Sequence, residues 1–157
     1  MKVLVDTGVW SLAFRRKKLQ PAEQPLVQQL QTLILDGNAC MIGVIRQEIL
    51  SGIKHPAQYD KLKERLQAFD DLAVTQQDHE LAAAMFNTCR SNGVQGSHID
   101  FLICAVAHHA NVPIFAVDGD FVQYAPYLPI TLYPGEADLN RIHDTRAQYN
   151  LNPGRDS

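Results

Sequence analysis

The chain has 157 residues, a length typical of one domain, and 46% of them are hydrophobic, which is enough for a packed core. This composition excludes a wholly disordered protein. The chain has 14 Lys and Arg against 17 Asp and Glu, so its formal net charge is −3. Net negative charge argues against general binding to nucleic acid by phosphate neutralisation. It does not exclude a nuclease, because the metal site of a nuclease is itself acidic.

The three cysteines are Cys40, Cys89 and Cys104, and no C-x-x-C motif is present. An odd number of widely spaced cysteines argues against a zinc finger and indicates a reducing compartment. The apolar run before Asp6 has only three residues, Val3 to Val5, too few for a signal peptide. No apolar run approaches the roughly 20 residues of a membrane span. We therefore expect a cytoplasmic protein with no membrane partner.

Short apolar runs alternate with segments of helical periodicity along the chain. Strands are predicted at residues 3–5, 39–42, 72–74, 113–117 and, weakly, 130–132. Helices are predicted at residues 7–14, from Pro21 and Pro25 to about 35, at 44–50, around 59–69, at 78–90 and at 97–111.

This alternation predicts an α/β fold: a single-domain, three-layer α/β/α sandwich with a mainly parallel central sheet. We place the domain at residues 1–133 and expect residues 134–157 to form an extension with a short helix and a frayed tail.

Acidic side chains stand at the ends of predicted buried elements. Asp6 and Asp118 follow predicted strands, and ligands of open parallel sheets bind beyond this edge. Asp100 opens an almost entirely apolar helix, and Glu48 precedes Ile49 and Leu50. Taken singly, these acids have structural explanations as an N-cap, a turn residue, a capping-box residue and a solvated helix residue. Together, they need a compensating charge, and Mg²⁺ prefers such oxygen ligands.

Four segments resemble the motifs of the PIN-domain ribonucleases, in the expected order. They are residues 3–10 (VLVDTGVW), 46–53 (RQEILSGI), 100–107 (DFLICAVA) and 115–121 (FAVDGDF). The resemblance covers about residues 1–133, and the length is most similar to that of the VapC-type toxins of toxin–antitoxin pairs.

The resemblance implies a metal-dependent endoribonuclease that cleaves RNA by water attack on a phosphodiester. It implies that Mg²⁺ or Mn²⁺ is bound, directly or through water, by Asp6, Glu48, Asp100 and Asp118. It also implies that Asp120 is a supporting acid and that Thr7 orients metal-bound water. The implied partners are an RNA substrate, a small protein antitoxin and a second copy of the chain in a homodimer.

Two departures from the family pattern keep other functions open. Ala116 and Gly43 occupy positions where the family often has Ser or Thr, so a PIN-like binding module without catalysis remains an alternative. Another is a Mg²⁺-dependent phosphoryl-transfer domain of a different class. A haloacid-dehalogenase-like phosphatase would need Asp where this chain has Gly8, and no phosphoreceiver pattern is evident.

Some features have both a functional and a structural interpretation. The basic run consists of Arg15, Arg16, Lys17 and Lys18. It either contacts RNA phosphates or is the solvated end of a helix. An apolar stripe consists of Leu26, Leu30, Leu33 and Ile34. It suits either a dimer interface or the core. Among the six histidines, only His98, near Asp100, is a candidate for the site, and a structural role is favoured for it.

Overall fold

The computed structural model describes residues 1–15 and 18–134, which form three strands and seven helices. The strands are β1 (Val3–Val5), β2 (Ala39–Cys40) and β3 (Ile114–Phe115). The helices are α1 (Thr7–Phe14), α2 (Gln24–Leu35), α3 (Gly43–Leu50), α4 (Pro56–Leu66), α5 (Gln76–Ser91), α6 (His98–Ala110) and α7 (Asp120–Tyr124). The predicted α/β class with a parallel sheet is confirmed.

The sheet has the order β2-β1-β3, and both strand pairs are parallel. In β1, Leu4 pairs with Cys40 on one side and with Ile114 on the other. The strand predicted at 72–74 is wrong, because only Asp71 pairs there, in a single bridge to Met41. The strand predicted at 130–132 is likewise reduced to one bridge, between Leu132 and Ile114. The predictions at 39–42 and 113–117 were too long, since ladder pairing ends within two residues.

The helices form two sets, one made of α1 to α4 and the other of α5 and α6. Within the first set, α1 packs on α2 and α3, and α3 packs on α4. In the second set, α5 and α6 pack extensively against each other. The chain moves outward from β1 to β2 and Asp71, then returns past β1 to β3. Right-handed crossovers place helices on opposite faces of the sheet when the direction reverses in this way.

The core is centred on β1, whose three residues are all buried. Helix α6 contributes seven consecutive buried residues, from Phe101 to Ala107, which agrees with its apolar sequence. The apolar stripe of α2 is used by the same core. Its residues Leu30 and Leu33 are buried, while Leu26 and Ile34 are partly buried against the core. The stripe therefore offers no support for a dimer interface.

Local signals set the ends of the long helices. Helix α6 starts after Ser97, whose hydroxyl accepts the Asp100 N–H, and it ends at Asn111 in the left-handed conformation (φ 54°). Helix α5 starts with a complete capping box between Thr75 and Asp78. Helix α7 follows a turn and was not predicted, because five residues carry too little periodicity.

Of the predicted extension at residues 134–157, only Pro134 is among the described residues. In the described part of the chain, no helix is both long and apolar enough to cross a membrane.

Candidate metal centre

Asp6 occupies the carboxyl end of the central strand. Its backbone N–H donates to the Phe115 carbonyl at 2.8 Å, which ties the end of β1 to the end of β3. The residue is only 7% exposed, and its side chain makes no capping hydrogen bond to α1. The indole of Trp10 is buried and donates to the carbonyl of Val5, the residue before Asp6, at 2.9 Å. Asp6 is therefore a buried acid, and the α1 N–H group that acts on its carboxylate is that of the adjacent Thr7.

The surroundings of Asp6 disfavour its ionised form. Burial is the main cause, and it raises the pKa of Asp6 from 3.8 to about 7. The Thr7 backbone N–H opposes the rise, while the nearby charges of Asp100, Asp118 and Glu48 increase it. These four acids are distant in sequence, and the fold brings them close enough for their charges to interact.

Glu48 reaches the same region from the last turn of α3. Its Oε1 accepts a hydrogen bond from the Thr7 hydroxyl at 2.8 Å, across 41 positions of the chain. Thr7 is the first residue of α1 and follows Asp6 directly, so this bond links the start of α1 to α3 beside Asp6. The Thr7 hydroxyl is thus bonded to a carboxylate, and its role in orienting metal-bound water stays a prediction.

Asp100 lies in the first turn of α6. Its N–H completes half of the predicted capping box with Ser97, but its carboxylate Oδ2 accepts a hydrogen bond from the Tyr124 hydroxyl at 2.7 Å. Burial raises the pKa of Asp100, the Tyr124 and Ser97 hydroxyls oppose this effect, and Asp118 and Asp120 strengthen it. The cap residue Ser97 and the Tyr124 hydroxyl therefore both act on this carboxylate.

Asp118 is exposed on the loop that follows β3, and Asp120 is exposed as the first residue of α7. The Asp118 carboxylate accepts the Asp120 N–H at 3.2 Å, a local bond that shapes the turn. This loop approaches α1 closely, because a Cβ placed on Gly8 would lie 2.7 Å from Cγ2 of Val117. The absence of a side chain at position 8 thus allows the loop to lie against the start of α1.

Basic side chains do not neutralise the acids within the described residues. The ion pairs there are Arg46 with Asp71 and His109 with Asp78, both outside the group formed by Asp6, Glu48, Asp100 and Asp118. Across residues 1–15 and 18–134, no three His, Cys, Asp or Glu side chains enclose a ready-made metal site. The donor set still fits Mg²⁺, which is often bound by one or two carboxylates and several waters.

Comparison with known proteins identifies the family. The family model of the PIN domain matches residues 3–126. The chain belongs to the PIN-domain family. A comparison with curated proteins finds no match to this PIN-domain chain.

Solved structures share the fold of this PIN domain. FitAcB from Neisseria gonorrhoeae has a TM-score of 0.67 and 18% identity, with coverage of 83% of this chain and 96% of that one. VapBC2 from Rickettsia felis, bound to a DNA fragment from its promoter, has a TM-score of 0.64, 14% identity and coverage of 84% and 97%. A toxin–antitoxin complex from Klebsiella pneumoniae has a TM-score of 0.57, 17% identity and coverage of 76% and 90%.

Two residues of the PIN domain near the acids were missed in the sequence. Tyr124 is buried and contacts Asp100 through its hydroxyl, and Gly96 leaves the space that this hydroxyl occupies. Tyr124 lies in the short, unpredicted helix α7, where nothing local distinguishes it from a core aromatic residue. The only available signal was its position shortly after the fourth motif.

The other predicted residues lie outside the acid group or beyond the described chain. Arg16 and Lys17 are not described, while Arg15 and Lys18 are exposed. The Arg15 guanidinium lies beside Gly52, just after α3, with Nη2 3.8 Å from the site of a Cβ. His98 stacks on Phe86, with ring centroids 5.0 Å apart, which supports its structural interpretation.

The three cysteines, Cys40, Cys89 and Cys104, are free and buried. Burial raises the pKa of each thiol, so none has the properties of a reactive cysteine.

Proposed function

We propose that this PIN-domain protein is a divalent-metal-dependent endoribonuclease and the toxin of a toxin–antitoxin pair. One observation carries the proposal: Asp6 is a buried carboxylate with a pKa of about 7, and it lies near three other acids without an Arg or Lys partner among the described residues. Such a group is costly to the fold, and a divalent cation would offset that cost.

Asp6 and Asp100 are the direct ligands that we propose, because Asp6 is buried and Asp100 is half-buried beside the end of the sheet. Glu48 and Asp118 would bind directly or through water. Asp120, exposed at the start of α7, would add negative charge. When bound, Mg²⁺ or Mn²⁺ would supply a more acidic water and would offset charge on the reacting phosphate.

The chain's own side chains would orient this centre. Thr7 holds one oxygen of Glu48, so it limits the rotation of that carboxylate. The close contact between Gly8 and Val117 fixes the loop that carries Asp118. This contact also argues against a phosphatase of the haloacid-dehalogenase type, because the Asp that such an enzyme needs at position 8 would collide with Val117.

We propose that RNA contacts the basic run formed by Arg15, Arg16, Lys17 and Lys18. Arg15 supports this idea, because it lies beside Gly52, just beyond the helix that carries Glu48. Local positive charge beside an acidic centre can orient a phosphate backbone although the whole chain is acidic. The phosphodiester would then lie between the basic run and the acids.

A small protein antitoxin is the proposed partner. Two similar solved structures support it: VapBC2, bound to a DNA fragment from its promoter, and a toxin–antitoxin complex. The homodimer implied by the family resemblance stays a prediction. The apolar stripe of α2 does not support it, because this stripe packs against the core of its own chain.

The decisive experiment measures cleavage of single-stranded RNA by the purified protein with Mg²⁺, with Mn²⁺ and with chelator. We expect cleavage only with a divalent cation, and a loss of at least about a hundredfold in Asp6→Asn, because a ligand is removed. Asp36→Asn is the matched control. Asp36 is exposed and follows α2, at the edge of the sheet opposite Asp6.

Cleavage that persists in chelator, or that Asp6→Asn and Asp36→Asn affect equally, would refute the nuclease proposal. If the wild-type protein cuts no RNA but binds a protein partner tightly, the binding-module alternative, which Ala116 suggests, is correct instead. The toxin assignment has a separate test: expression of the chain alone should arrest growth, and Asp6→Asn should relieve the arrest.

A further inference from the structure

The ring of Tyr124 is buried and packs against two other aromatic rings, which restricts the position of its hydroxyl. Tyr124 is 1% exposed, and its ring centroid lies 4.9 Å from that of Phe101 and 5.5 Å from that of Phe121. From this position the hydroxyl donates to Oδ2 of Asp100 at 2.7 Å. A side chain held in this way presents its donor in one place, so it restricts the carboxylate that it contacts.

Gly96 provides the space that this hydrogen bond requires. A Cβ on Gly96 would lie 2.3 Å from the Tyr124 hydroxyl oxygen and 2.9 Å from the Phe101 ring, closer than unbonded atoms approach. The next residue, Ser97, accepts the Asp100 backbone N–H at 3.0 Å. Asp100 is therefore held at its backbone by Ser97 and at its side chain by Tyr124.

We infer that Tyr124 is a positioning residue that prepares Asp100 to bind the divalent cation, an inference that rests on the proposed function. The hydroxyl engages Oδ2 and so limits the rotation of the Asp100 carboxylate. Thr7 of α1 makes a similar hydroxyl-to-carboxylate hydrogen bond to Glu48 of α3. Hydrogen-bond partners that orient metal ligands commonly change metal affinity by about 10- to 100-fold when they are removed.

The test compares Tyr124→Phe with the wild-type protein in Mn²⁺ binding, measured by calorimetry and by the electron paramagnetic resonance of free Mn²⁺, without RNA. Tyr124→Phe keeps the ring and removes only the hydroxyl. We expect the Kd for Mn²⁺ to rise about tenfold. Tyr127→Phe is the matched control, because Tyr127 is 42% exposed, and it should bind Mn²⁺ like the wild type.

Cleavage kinetics provide a second measurement. In Tyr124→Phe, the Mn²⁺ concentration at half-maximal rate should rise by about the same factor as the Kd, whereas kcat at saturating Mn²⁺ should stay near the wild-type value. Gly96→Ala places a methyl group against the Tyr124 hydroxyl and should displace it from Asp100. This variant, too, should therefore bind Mn²⁺ more weakly than the wild type. A purely structural role would lower thermal stability and leave the Mn²⁺ affinity unchanged.

The inference is overturned if folded Tyr124→Phe binds Mn²⁺ within twofold of the wild type. Failure of the proposed function has a different signature: the wild-type protein itself would bind no Mn²⁺, or would bind it equally well after Asp6→Asn.

Discussion

Replacing Asp6 by Asn should stabilise the folded chain at neutral and alkaline pH while it removes activity. The pKa of Asp6 is raised from 3.8 to about 7, so the folded chain retains a proton that the unfolded chain releases between these values. Stability therefore falls as the pH rises from about 4 to about 7 and is constant above that range. At about 1.4 kcal/mol per pKa unit, the ionised carboxylate costs the fold about 4 kcal/mol at pH 8.

We expect Asp6→Asn to recover about 2 kcal/mol of this cost, because the buried amide also loses hydration. For a chain of this size, that corresponds to a Tm higher by about 4–8 °C. As the pH falls below 3.8, the pH-dependent part of this difference should disappear, since Asp6 is then protonated in both the folded and the unfolded chain.

Urea unfolding followed by tryptophan fluorescence measures this difference directly. The chain has one Trp, and Trp10 is fully buried four residues after Asp6. Added Mg²⁺ should stabilise the wild-type protein and have little effect on Asp6→Asn. Asp36→Asn, the control, should show the wild-type pH dependence and the wild-type response to Mg²⁺. If Asp6→Asn is no more stable than the wild type at pH 8 without divalent cations, the electrostatic argument is wrong.

Three further substitutions test other contacts. Gly8→Ala should reduce RNA cleavage about tenfold or more with little change in stability, because its Cβ displaces Val117 while Ala favours the helix by about 0.5–1 kcal/mol. Asp78→Asn should cost about 1–2 kcal/mol at neutral pH, since it removes charge from the capping box and from the contact with His109. Arg46→Lys should cost about 1–3 kcal/mol, because Lys cannot reproduce the fork that binds two carbonyls and a carboxylate.

Each of these substitutions has its own check. Val117→Ala, added to Gly8→Ala, should restore cleavage, and failure to do so would remove the clash as the cause. The cost of Asp78→Asn depends on pH. Burial would raise the pKa of Asp78, but the Thr75 N–H and His109 outweigh burial and lower it below 3.8. The stabilisation is therefore present above about pH 4 and lost below it. If the stability difference between Asp78→Asn and the wild type did not change with pH, this account would be contradicted. For Arg46→Lys, urea unfolding measures the loss of stability. The RNA affinity of the folded variant should equal that of the wild type, because the contacts of Arg46 lie within the chain.

The sequence by itself determined the local features of this protein. The helices begin and end near their capping residues, such as Ser97 and Asn111, because capping depends on residues a few positions apart. The buried strand Val3–Val5 and the apolar helix α6 follow from local hydrophobic patterns, and four ordered motifs were sufficient to indicate the family. The identities of the candidate acids were likewise visible, since each motif places its acid at the end of a buried element.

The tertiary structure decided everything that depends on residues far apart in the chain. The raised pKa of Asp6 requires burial by other segments and acids up to 112 positions away. Tyr124 contacts Asp100 only because α7 packs beside the start of α6, and Leu72–Val74 forms no strand because only Asp71 finds a partner. Hydrophobic periodicity measures how one segment faces the core. This periodicity contains no information on which side chains from distant segments lie beside that segment in the fold. Those contacts are decided by tertiary packing.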